Sequence, residues 1–185
     1  MRHLFSLLFI LLYIAAAKAQ APSVKIWDKR FGGTQNDGPY GFEQTFDGGY
    51  ILGGDSYSNI SGDKTQNNWD TTMSTPDYWV VKIDSLGNNQ WNKRFGGTDI
   101  DQFFALNKTM DRGFILGGMS ASGISGDKSQ TNLGGWDIWV VKIDSAGNKQ
   151  WDKTFGGSGD DYPNYVMQTS DTGYLIIGAS NSSIS

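Results

Sequence analysis

The chain writes one sentence twice. VVKIDSLGNNQWNKRFGG at residues 80–97 returns as VVKIDSAGNKQWDKTFGG at residues 140–157, and the two differ at only four of eighteen positions. The motif WDKRFGG at Trp27, WNKRFGG at Trp91 and WDKTFGG at Trp151 fixes the spacing at 64 and then 60 residues. FDGGYILGG from Phe46, MDRGFILGG from Met110 and SDTGYLIIG from Ser170 keep the same two offsets. The difference of four residues falls between SGDK and the next D-x-W-V-V-K, in TQNNWDTTMSTP against SQTNLGGW. Length variation confined to one place marks a surface loop, because paired strands do not tolerate insertions. A repeat of this kind restricts the chain to architectures in which each unit buries a face against its neighbour.

Each unit reads as four β-strands. YGFEQTF is the first, YILGGDS the second after a DGG turn, DYWVVKID the third after a long polar loop, and NQWNKRF the fourth after the turn SLGN. Tyr78, Val80 and Lys82 alternate with Trp79, Val81 and Ile83, the period of a strand with two distinct faces. Beyond the N-terminal apolar stretch, no segment carries a useful 3.6-residue apolar period. The expected class is all-β, with four-stranded antiparallel sheets recurring as the blades of an incomplete β-propeller. The boundaries read as blade 1 at 40–95, blade 2 at 104–155, half of blade 3 at 162–185, and an orphan outer strand at 23–31. Trp27, Trp79, Trp91, Trp139 and Trp151 recur within strands and are expected to pack between sheets. A closed propeller needs roughly four to eight blades, so the sequence reads as the N-terminal part of a longer protein whose remaining blades complete the ring.

Residues 1–19 read as a signal peptide: a basic start, the apolar run SLLFILLYIAAA, and Ala17-Lys18-Ala19 as a small-x-small cleavage site. The remainder, 20–185, holds thirteen Lys+Arg against nineteen Asp+Glu, a net charge of −6. An acidic exported chain with no basic run has no electrostatic reason to bind nucleic acid, and none of its later segments is apolar enough to insert in a membrane. There is no cysteine, and the one histidine, His3, lies in the signal. Ser-His-Asp and Cys-His nucleophile systems are thereby excluded, as is a zinc site of the usual His/Cys kind.

At DGGYILGG, SGDK, DYWVVKIDSLGNNQW and FGG the chain resembles a family of secreted repeat proteins of Bacteroidota-type bacteria, some loosely named after endoglucanases. The likeness covers 23–185. It implies a propeller-like fold and export to the cell surface or medium, by type IX secretion where a C-terminal sorting domain is present, and no particular activity. Asp84-x-x-Gly87-x-x-x-Trp91 and Asp144-x-x-Gly147-x-x-x-Trp151 are also similar to the docking motif of quinoprotein propeller blades, one residue shorter before the glycine. That similarity carries over a docking role for the Trp and Gly.

Candidate chemistry sits on the loops at one end of the units. Asp37, Asp101 and Asp161 follow each FGG at a fixed offset and suggest either a carboxylate ring for Ca²⁺ or turn caps that bond backbone N–H groups. Asp63 and Asp127 recur in SGDK, where Lys64 and Lys128 are expected to make exposed ion pairs with a neighbouring blade. Trp69 and Trp136 lie in the variable loop and are the tryptophans placed to face a ligand. A glycosidase needs two carboxylates roughly 5–9.5 Å apart. The single glutamate, Glu43, is Asn107 and Met167 in the other units, so no catalytic constellation is visible. The expected function is a secreted or surface module binding an extracellular glycan or protein through its loop face. The alternatives are part of a glycan-degrading enzyme with catalysis elsewhere, and a structural spacer.

Overall fold

The structure, a computed structural model, describes residues 26–183. The signal-peptide reading of 1–19 and the first three residues of the orphan strand lie outside them. The described chain is all-β with no helix. Ten antiparallel strands run in chain order: β1 (Asp37–Gln44), β2 (Tyr50–Ser56), β3 (Asp77–Ile83), β4 (Asn89–Phe95), β5 (Asp101–Lys108), β6 (Phe114–Ser120), β7 (Asp137–Ile143), β8 (Lys149–Phe155), β9 (Asp161–Gln168) and β10 (Tyr174–Ser180). They form two four-stranded sheets, β1-β2-β3-β4 and β5-β6-β7-β8, and a two-stranded sheet of β9 and β10.

The repetition holds at the level of register. Tyr50 faces Ile83 and Ser56 faces Asp77 in the first sheet, and Phe114 faces Ile143 and Ser120 faces Asp137 in the second. Each unit carries an irregularity in its first hairpin: between Pro39 and Gly41, between Phe103 and Ala105, and between Ile177 and Gly178. The turn between the first two strands needs a positive φ at its middle residue. Gly48 supplies it at 81°, while Arg112 at 66° and Thr172 at 70° adopt it despite their side chains.

Alternation along the third strands divides their side chains between two neighbours. Tyr78 and Val80 of β3 join Ile51 and Phe95 in a core shared with Phe103, Leu106, Phe114, Leu116, Trp139, Val141 and Ile143 of the second sheet. Val140 of β7, with Ala105 and Ile115, turns the other way and meets Val166 of β9. Trp79, Val81 and Ile83 face the chain's start, where Trp27 and Phe31 lie over them. Trp139 is wholly buried. Removing an indole from water is worth at most about 4–6 kcal/mol, a gain that exists only while the first sheet covers it. Tyr78 is the hinge of that contact. Its ring lies 5.0 Å from Trp139 and 5.3 Å edge-on to Phe103, and its hydroxyl donates to the Trp139 carbonyl at 3.0 Å.

Two boundaries differ from the sequence expectation. The first strands begin at Asp37, Asp101 and Asp161 rather than at 40, 104 and 162, because each aspartate pairs across to the serine that ends the second strand. Residues 26–31 do not form the orphan strand. A strand needs a partner edge, and no third strand lies beside them among the described residues. Their side chains nonetheless make the contacts of a fourth strand. Trp27 and Lys29 approach Gly87 as Trp91 and Lys93 approach Gly147, and Trp27 Nε1 donates to the Ser85 carbonyl at 3.0 Å.

Candidate functional site

The loops that leave the second strands and the connectors that enter the first strands meet at one end of the sheets. Each connector aspartate closes its own turn. Asp37 accepts from Gly33 N at 2.7 Å and Ser56 Oγ at 2.5 Å, Asp101 from Gly97 N at 2.6 Å and Ser122 Oγ at 2.9 Å, and Asp161 from Gly157 N at 2.9 Å and Ser182 Oγ at 2.7 Å. Glycine is required beneath them: a Cβ on Gly33 would lie 2.4 Å from the Ser58 side chain, and one on Gly97 2.6 Å from that of Ser122. The three carboxylates therefore act as turn caps, one in each unit. Among the described residues no group of three or more His, Cys, Asp or Glu side chains is arranged to hold a metal ion.

Asp63 and Asp127 clasp the connector from the other side. Asp63 Oδ2 accepts from Gly32 N at 3.1 Å while its own N–H donates to the Gly32 carbonyl at 3.0 Å. Asp127 repeats this on Gly96 at 3.3 and 2.8 Å. The lysines beside them are not in exposed ion pairs, as the sequence suggested, but buried, each 2% exposed. Lys64 Nζ donates to Asn68 Oδ1, and burial pulls its pKa down to about 8. The acids nearby respond in the opposite sense. Burial pushes Asp77 up to about 8 and Asp101 up to about 6. Arg94 Nε lies 3.8 Å from Asp77 Oδ2, too distant a pairing to outweigh the loss of water around the carboxylate.

Above this buried layer the longer loop of the first unit folds back as a lid. Asp70 holds it through Thr72 N at 2.9 Å, Ser74 N at 2.9 Å and Thr75 N at 3.0 Å. The loop places Trp69 over the following unit. Its Nε1 donates to Asp127 Oδ2 at 3.0 Å, and the Arg94 guanidinium lies 4.3 Å from the ring centroid while Nη1 donates to the same carboxylate oxygen at 3.1 Å. Trp69 keeps 43% of its surface exposed. Trp136, half-buried, stands edge-on to Tyr162 at 5.9 Å, and its backbone N–H donates to Asp160 Oδ1 at 3.0 Å. The two tryptophans expected as a ligand-facing pair are thus separate bridges, each to the unit that follows it.

Sequence reasoning missed Arg94. The signal was present as a paired departure from the repeat: Trp69 is Leu133 and Arg94 is Thr154 in the second unit, so the two partners change together. Glu43, the sole glutamate, pairs with Lys108 at 3.4 Å.

No family model matches the chain. Among curated proteins it is similar to the regulatory protein FlaEY of Caulobacter vibrioides, with 33% identity over 79 residues. The match takes in 43% of this chain and 8% of that protein, so the chain spans less than a tenth of the relative's length.

Proposed function

We propose that this chain is a secreted or cell-surface β-propeller-type repeat module that binds an extracellular glycan or protein through its Asp63 and Asp127 loops. The observation that carries the reading is Trp69. Its ring is fixed by Asp127 on one edge and by Arg94 across a face, yet nearly half of it is exposed. An aromatic platform immobilised before binding loses little entropy when a sugar ring or an apolar side chain stacks on it. Asp63 and Asp127 serve this site by holding the loops in place, the Oδ2 of each accepting from a connector backbone N–H. Three successive units with first hairpins of one register, stacked through shared cores, support the propeller-type arrangement. The regulatory role of FlaEY brings no residue with it that can be placed on this chain and is not adopted.

The test is a glycan array together with an array of immobilised extracellular proteins, probed with the chain and with Trp69→Ala. We expect saturable binding to at least one class, weakened roughly tenfold or more by the substitution, as for an aromatic anchor at the centre of a site. Absence of binding to both arrays, or equal binding by the variant, would refute the reading.

A further inference from the structure

In the first two units the second strand is paired on both sides: β2 lies between β1 and β3, and β6 between β5 and β7. Their counterpart β10 is paired with β9 alone among the described residues. Every residue of β6 is buried, whereas β10 exposes Leu175 at 45% and Ile177 at 53%. We propose that the free side of β10 is an acceptor for a strand of the type Asp-x-Trp-Val-Val-Lys-Ile-Asp, delivered as the third and fourth strands of a further repeat of this motif. The inference rests on the stacking of the sheets and not on the ligand reading above.

Three features choose that occupant over any other strand. The first is a socket. Val140, Trp151, Lys153, Phe155, Tyr174 and Ile176 line an open cavity of about 350 Å³. Their counterparts at the preceding boundary are Val80, Trp91, Lys93, Phe95, Phe114 and Leu116, and there Trp139 and Val141 of β7 fill the space. The socket is therefore the imprint of a tryptophan and a valine two positions apart. Phe155, 45% exposed against 4% for Phe95, marks the missing contact.

The second feature is a charge. Lys82 Nζ meets Asp47 at 2.9 Å and Lys142 Nζ meets Asp111 at 2.8 Å, each lysine coming from the third strand of its own unit. Asp47 and Asp111 are preset by a threonine hydroxyl and a glycine N–H. Asp171 is preset in the same way, by Thr169 Oγ1 at 2.5 Å and Gly173 N at 3.2 Å, and no lysine reaches it among the described residues. A strand in the common register, with its isoleucine opposite Tyr174 and its leading aspartate opposite Ser180, brings its lysine to Asp171. The third feature is Trp151. Trp91 lies against Gly147 in the hairpin turn of the next unit, where a Cβ would come within 3.0 Å of the ring. Trp151 already stacks edge-on to Tyr174 at 5.1 Å and stands half-buried, placed to receive the turn glycine of the incoming hairpin.

The experiment adds a synthetic hairpin of residues 76–95 to the chain and follows binding by calorimetry. We expect a saturable one-to-one complex. Trp79→Ala in the peptide should weaken it roughly 30-fold or more. Lys82→Asp in the peptide should weaken it about tenfold, and Asp171→Lys in the chain should restore binding of that peptide. Equal affinity for the Lys82→Asp peptide, or no rescue by the swapped charge, overturns the proposal. Because a free hairpin can fail to hold its shape, the same segment is also fused after Ser185 through a Gly/Ser linker. Hydrogen exchange should then slow at the amides of 174–180. Unchanged exchange there overturns the proposal, as does a dimer of the unmodified chain in which those amides are already protected.

Discussion

Individual side chains in this protein act mostly across the boundary between units. Trp69 donates a hydrogen bond to Asp127 of the neighbouring unit and makes a cation–π contact with Arg94 of its own, so Trp69→Ala should lower unfolding free energy by about 1–2 kcal/mol. A double-mutant cycle with Arg94→Ala should return a coupling of about 0.5–1 kcal/mol in urea denaturation, and additive losses would mean the two do not interact. The buried acids set a pH dependence whose sign follows from their shifts. Burial raises Asp77 to about 8, and Asp55 and Asp101 to about 6, above the ordinary 3.8. The folded chain therefore holds more protons than the unfolded chain between roughly pH 4 and 8, and stability falls as pH rises through that window. Thr45 and Lys82 hold Asp47 at about 2; against the upward push of burial, Lys142 and Thr109 hold Asp111 there as well. These two contribute stability above the ordinary carboxylate range that is lost as pH falls toward 2. Thermal unfolding should therefore show a maximum near pH 4–5. Asp77→Asn, which can still accept from Trp69 N, should flatten the decline toward pH 8; an unaltered decline would show that Asp77 does not carry it.

Elements repeat here because their turns and faces repeat. The tight turn between first and second strands demands a left-handed residue whatever its side chain, and Gly48, Arg112 and Thr172 all comply. Arg112→Gly should thus raise stability by about 0.5–1 kcal/mol, read as a higher urea midpoint with an unchanged slope. A neutral or destabilising outcome would show that the Arg112 side chain contributes more than its backbone costs. The third strands divide their faces so strictly that a single glycine governs a contact. A Cβ on Gly118 would lie 2.3 Å from the Tyr78 hydroxyl, and one on Gly53 would lie 2.4 Å from the Phe103 ring. The strand sequence provides the knobs, and the glycines of the second strands provide the space for them.

Across the described residues, neighbouring sheets share their cores at each boundary between units. Tyr78, Val80 and Ile51 of the first sheet are buried only because the second sheet lies over them. A fragment ending at residue 97 should accordingly show no cooperative thermal transition, while the 185-residue chain does; a cooperative transition in the fragment would mean that the sheet is self-sufficient.

The all-β class, the four-strand unit, its period and the inward tryptophans could be read from the letters. Each follows from local rules, an alternation of period two and a turn glycine, copied along the chain. The sequence also named Asp63, Asp127, Trp69 and Trp136, yet it could not place them. Whether a loop tryptophan faces solvent or the next unit depends on how far the loop folds back, and that depends on Asp70, Arg94 and the following sheet together. The same limit applies to Lys64 and Lys128, polar letters in a polar loop that burial turns into core. Residues 26–31 carry the pattern of a strand but have, among the described residues, no partner edge that would make them one. Local patterning determined what each unit of this protein is. Only the packing of unit on unit decided which of its side chains are exposed, because burial and charge environment belong to neighbours far apart in the chain.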